Sequence, residues 1–94
     1  MEFKDPDLEA FWNDPSGKSP RQIPTQLRRT VYRKLQMIEA AVDLNDLRVP
    51  PGNHLEKLSH DRAGQHSIRV NDQWRLCFTW TRNGAKGVEF IDYH

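Results

Sequence analysis

The groups able to do chemistry here are two arginines flanking a turn, Arg69 and Arg75, and a closing run, Asp92-Tyr93-His94. In Gln65–Val70, Ile68 and Val70 fall on one face of an extended chain and Ser67 and Arg69 on the other. In Trp74–Trp80, Leu76, Phe78 and Trp80 fall on one face and Arg75, Cys77 and Thr79 on the other. That is the two-residue period of half-buried strands. A two-residue turn at Asn71-Asp72 would set apolar Ile68 against Arg75. A connection through Asn71-Asp72-Gln73 sets Val70 opposite Trp74, Ile68 opposite Leu76 and Arg69 opposite Arg75. Only the second keeps one face apolar, so it is the expected register. It leaves two arginines side by side on the open face, which costs stability. Either carboxylates nearby neutralise the pair or it waits for an anion.

If the last strand lies beside Trp74–Trp80, its end comes close to that face. Arginine, tyrosine, histidine and a carboxylate suit RNA cleavage without a metal. One group takes the proton of a ribose 2′-hydroxyl, which attacks the adjacent phosphorus, and a second protonates the leaving 5′-oxygen. An arginine stabilises the charge that develops on the phosphorane. Histidine fits either proton role. The plainer reading of a terminal Asp-Tyr-His is a frayed, solvated end.

Other chemistries find less support. His54, His60, His66 and His94 are scattered, with no second ligand at tetrahedral spacing and no thiolate pair, so no metal or other cofactor is expected. Cys77 stands alone on a strand, where a cysteine is usually inert packing. No glycine-rich phosphate loop is present.

At 94 residues the chain is expected to form a single domain, 1–94, with a thin core, since 36% of residues are hydrophobic and 29% charged. No apolar run is long enough to span a membrane, and no signal-peptide pattern opens the chain. The single cysteine fits a reducing compartment, so a cytoplasmic protein is expected. Net charge is only +1, but its distribution is uneven. The first fourteen residues are acid-rich, whereas Pro15 to Ile38 holds Lys18, Arg21, Arg28, Arg29, Arg33 and Lys34 and no acid. Such a run can meet phosphate or an acidic partner. A solvated helix face is the default.

Met1–Lys4 reads as a short edge strand. Asp5-Pro6-Asp7 opens a helix carrying Leu8, Phe11 and Trp12 and ending near Asn13. Asp14–Arg21 reads as a mobile loop. Pro24 opens a longer helix, with Leu27, Val31, Leu35, Ile38 and Val42 in one apolar stripe. Leu44–Arg48 adds a helical turn, and Val49-Pro50-Pro51-Gly52 stops it. Strands follow: a less regular one at Leu55–Leu58, the hairpin, a turn at Thr81–Gly87, and a last strand, Gly87–Asp92, with Val88 and Phe90 toward the core. The expected class is α+β, N-terminal helices on one face of a twisted, mainly antiparallel sheet. Trp74 and Trp80 read as packing rather than base-stacking residues.

The run LEKLSHDRAGQHSIRVNDQWRLCFTW, the preceding RVPPGNHLEKL and the closing VEFIDYH resemble the HigB family of bacterial type II toxins, within the RelE/ParE superfamily of plasmid-maintenance killer proteins. The likeness runs from Thr25 to the end and is strongest over Pro50–Trp80. It implies a RelE/ParE-like fold and a ribosome-dependent endoribonuclease that cuts messenger RNA without a metal. It also implies a HigA-type helix-turn-helix antitoxin, with operator DNA bound only through the complex. Arg75 matches the arginine of the family's active site, and Asp92, Tyr93 and His94 match its C-terminal catalytic residues. Lys57, Arg62 and Arg69 lie where the family carries basic residues facing RNA. Two departures bear on cleavage. Glu56 stands where some members have a histidine with a catalytic role, and His60 replaces a common glycine. ParE-type relatives, which act on DNA gyrase and need no acid–base pair, are the nearest rival. A non-catalytic nucleic-acid or antitoxin-binding module is a third reading.

Overall fold

The computed structural model describes residues 1–17 and 23–93. Helix α1 spans Pro6–Asn13, with Asp5 as N-cap accepting from the Asp7 amide at 2.9 Å. After a 3-10 turn at Thr25–Leu27, helix α2 runs from Arg28 to Ala40. Four strands follow, β1 (Glu56–Lys57), β2 (His66–Arg69), β3 (Trp74–Thr81) and β4 (Gly84–Asp92), in one antiparallel sheet of order β1-β2-β3-β4. Residues 2–4 run parallel to β4, with Phe3 bridged to Val88. This is the α+β arrangement of helices and antiparallel sheet that the alternation and the helical stripe imply.

The register of the central hairpin is Ile68 opposite Leu76 and Arg69 opposite Arg75. Asn71 Oδ1 accepts from the amides of Gln73 at 2.9 Å and Trp74 at 2.8 Å, which shapes the connection. One face of the sheet then carries Ile68, Leu76, Phe78 and Phe90, packed against Leu8 and Phe11 of α1 and Val31, Leu35 and Ile38 of α2. Each such aliphatic side chain contributes about 1.5–3 kcal/mol by leaving water. Trp74 stacks on Phe90 with centroids 4.4 Å apart, and Trp80 meets Phe78 edge-on at 6.4 Å.

Three local expectations shift. Val42 is 91% exposed, because α2 ends at Ala40 and Ala41 is already extended. The first strand shrinks to Glu56–Lys57. The last strand begins at Gly84, and its turn is only Arg82-Asn83. Gly87, read from sequence as the end of a turn, is the extra residue of a β-bulge. Cys77 pairs with Glu89 but Thr79 with Lys86, and Gly87 has φ +64°. The bulge lets both Ala85 and Val88 face the core. Of the loop expected at Asp14–Arg21, residues 18–21 lie outside the described residues.

His66 shares the core-side face with Ile68. Its Nδ1 is buried with no hydrogen-bond partner among the described residues. Burial, then the charges of Lys57 and Arg48, hold its pKa below the ordinary 6.5. Below that pH the unfolded chain takes up a proton that the folded imidazole resists, so stability falls as acid is added. Urea midpoints measured from about pH 7 to about pH 5 should therefore decline, and the decline should be shallower in His66→Gln.

Candidate active site

Antiparallel partners share a face, so the register assigns the site. One row across the sheet is Glu56, Ser67, Cys77 and Glu89; the next is Arg69, Arg75 and Ile91. This face lies opposite the helices. It is not open at its centre. Arg75 is 7% exposed, and Ser67 and Cys77 are fully buried beside it.

Arg75 is tightly held. Its Nε donates to Ser67 Oγ at 2.7 Å, and its Nη2 donates to the Ser67 carbonyl at 3.3 Å and to the His54 carbonyl. The Tyr93 ring lies over the guanidinium, 5.5 Å from its centroid to Cζ. The Tyr93 amide donates to the Gln73 carbonyl at 2.7 Å, which fixes where Tyr93 lies on this face. Among the described residues no carboxylate forms an ion pair with Arg75. Its charge is met by carbonyl and hydroxyl dipoles and an aromatic face. Arg69, its cross-strand neighbour, does pair with a carboxylate, that of exposed Asp72. The two arginines therefore resolve their repulsion differently.

Arg62 reaches the same face from a 3-10 turn at His60–Arg62, where His60 takes φ +55°. Its Nη1 donates to Glu89 Oε1 at 2.6 Å, and Lys4 Nζ approaches the other Glu89 oxygen at 3.7 Å. Glu56 sits on this face across from Ser67 and makes no ion pair among the described residues. Tyr93, Arg62, Arg69 and Arg75 thus come together. Lys57 and Asp92 do not. Lys57 pairs with His66 and Asp92 with Trp74, which places both toward the core-side face, and Asp92 accepts from Gln73 Nε2 at 2.9 Å. His94 lies outside the described residues. No group of three His, Cys, Asp or Glu among the described residues is placed to hold a metal ion.

Two residues behind the site escape the sequence reading. Lys34, one of the basic run assigned to a solvated helix face, is only 6% exposed, and Asn53, directly after the Val49–Gly52 breaker, is 0% exposed. Lys34 Nζ donates to Asn53 Oδ1. Burial first, then the charges of Arg33 and Arg69, lower the Lys34 pKa. The available signal was position, since Lys34 lies three residues after Val31 and four before Ile38 of the apolar stripe.

A model of the family described as RelE-like toxin of type II toxin-antitoxin system HigB matches residues 1–94. The chain belongs to the HigB-like toxins. It is 43% identical to Toxin HigB-1 of Vibrio cholerae serotype O1 over 94 residues, covering 100% of this chain and 96% of that one. An uncharacterized protein of Haemophilus influenzae is 39% identical over 92 residues, covering 98% and 88%. Endoribonuclease HigB of Proteus vulgaris is 31% identical over 72 residues, covering 77% of each chain. A HigB-like toxin of a type II system has an antitoxin as its partner. Among the described residues no helix is long and apolar enough to cross a membrane.

Cys77 tests how closed this face of the HigB-like chain is. Burial foremost pushes its thiol up to about 11, with Glu89 adding and Arg62 and Arg75 opposing. A thiol reagent applied at about pH 8 should leave the native protein unlabelled and react only after unfolding. Rapid native labelling would mean that the cover over Ser67 and Arg75 opens readily.

Proposed function

We propose that this HigB-like toxin, acting as one domain over residues 1–94, is a ribosome-dependent endoribonuclease that cuts messenger RNA in the cytoplasm. The observation that carries the reading is Arg75. Its guanidinium is fixed by Ser67 and the His54 carbonyl, carries the Tyr93 ring on one face, and has Arg69 as its cross-strand neighbour. A preorganised cation in a water-poor site is suited to the charge that develops on phosphorus during 2′-hydroxyl attack. The name of the Proteus relative supports the same class of reaction.

In this mechanism Arg75 stabilises the phosphorane, and Arg62 and Arg69 hold flanking phosphates. His94, carried over from the family resemblance, protonates the leaving 5′-oxygen, and Tyr93 orients the phosphate. Glu56 accepts the 2′-hydroxyl proton. Glu89 is held by Arg62 and Lys4, and Asp72 by Arg69, whereas Glu56 has no ion pair among the described residues. Lys57 and Asp92 act from the rim of the sheet, on the side their register gives them. No step calls on a metal. The partner antitoxin is of the HigA helix-turn-helix type, and operator DNA is reached through the complex alone.

The test is single-turnover cleavage of a short message with and without programmed ribosomes, in EDTA. Cuts should appear only with ribosomes. Arg75→Ala should slow them about 10²–10³-fold, and Glu56→Gln and His94→Ala about 10²-fold or more. Intact message from protein that arrests growth would point instead to gyrase or another protein target.

A further inference from the structure

A buried lysine on a helix needs an account. Lysine is rarely fully buried unless paired, and moving its ammonium out of water is costly. Among the described residues Lys34 of α2 has no carboxylate partner; its hydrogen bond is to the neutral side chain of Asn53. Two more cations, Arg33 and Arg69, lie close enough to disfavour its charge. An apolar residue here would make a simpler core.

Asn53 shows what the lysine holds. While Oδ1 accepts from Lys34, Nδ2 donates to the Leu47 carbonyl at 3.1 Å and the Val49 carbonyl at 3.4 Å. The Asn53 amide donates to the Pro50 carbonyl at 2.9 Å. One side chain therefore ties the 47–53 segment to α2. The next residue, His54, stands at φ +42°, ψ +59°, a left-handed conformation that a residue with a Cβ keeps only when its surroundings impose it. Its carbonyl accepts from Arg75 Nη2, which also donates to the Ser67 carbonyl. Ser67, the other partner of Arg75, is part of β2 and needs no such support. The His54 carbonyl is the hydrogen-bond acceptor of the Arg75 cradle that comes from outside the sheet.

We propose that Lys34 and Asn53 are a positioning pair, which anchors the 47–53 segment to α2 so that the His54 carbonyl holds Arg75 in its working orientation. Neither residue touches substrate. They act through the His54 peptide, and the inference rests on the nuclease reading only for its effect on rate. Loss of the pair lets the His54 peptide relax, leaves Nη2 only its 3.3 Å bond to the Ser67 carbonyl, and leaves Arg75 hydrogen-bonded from the β2 side alone.

The experiment uses the full chain in two variants. Lys34→Met removes the donor at similar length. Asn53→Asp keeps an acceptor for Lys34 but removes both Nδ2 donors. In each, the exchange of the Arg75 Nη2–H protons is followed by NMR, and single-turnover cleavage is measured on programmed ribosomes. The expected result is exchange about tenfold faster or more, and cleavage about tenfold slower or more at saturating ribosomes with little change in half-saturation. Lys34→Arg, which restores a donor, should recover much of both. Folded variants whose Arg75 protons and cleavage rate match the wild type, with only the melting temperature moved, would overturn the proposal. If one variant does not fold, the other decides by the same criteria. If the wild type cleaves nothing, the nuclease reading fails, while the exchange rates alone still sustain or refute the positioning pair.

Discussion

The β2–β3 register is the constraint from which the arrangement of both faces follows. It is set where Asn71 Oδ1 gathers the Gln73 and Trp74 amides, and where the Val70 amide meets the Trp74 carbonyl at 2.9 Å. In an antiparallel pair a slip of one residue exchanges the faces of a whole strand. Here that would send Arg75 and Cys77 into the core and Leu76 and Phe78 out of it. Burial of an unpaired guanidinium among Leu35, Ile38 and Val88 would cost several kcal/mol, so the slipped register is strongly excluded. The hydrophobic effect and the arginine thus select the same pairing.

From that pairing the sheet takes on two tasks. Its apolar face binds α1 and α2 and supplies most of the stability. Its other face is covered by less: the His54 peptide, the 3-10 turn carrying Arg62, and Tyr93. That cover is polar where it meets Arg75, so the guanidinium is held by dipoles and an aromatic face. A carboxylate in the same place would neutralise the charge on which the proposed phosphate recognition depends. Arg69 and Glu89 show the contrast, each engaged in an ion pair at the periphery.

The basic run of α2 divides in an informative way. Lys34 turns inward and meets Asn53, although the sequence offers it as one of several solvated cations. The same segment supplies the left-handed His54, whose carbonyl reaches Arg75. Helix α2 and the Arg75 face are thereby joined through the Lys34–Asn53 hydrogen bond, the Asn53–His54 peptide and the His54–Arg75 hydrogen bond. In a 94-residue chain with a thin core, such polar ties help to define one arrangement among several that burial alone would allow.

Much of this was readable without coordinates because it depends on neighbours in sequence. Strand alternation determined which of Arg69, Arg75, Ile68 and Leu76 share a face. Apolar spacing determined α2 through Ile38, and Asp5-Pro6 its predecessor. The likeness of the 50–80 stretch and of the closing DYH to HigB toxins pointed to the family. What alternation cannot give is what lies above a face. That Arg75 is covered and that Lys34 is buried each depend on segments far away in the chain, whereas the core-side direction of Asp92 already follows from its alternation with Phe90. The Gly87 bulge was missed for a related reason, since a glycine beside an Asn-Gly turn has the same local signal whether it ends the turn or kinks the strand. Local period sets the direction of a side chain, but its environment is decided by whichever remote backbone comes to rest against it.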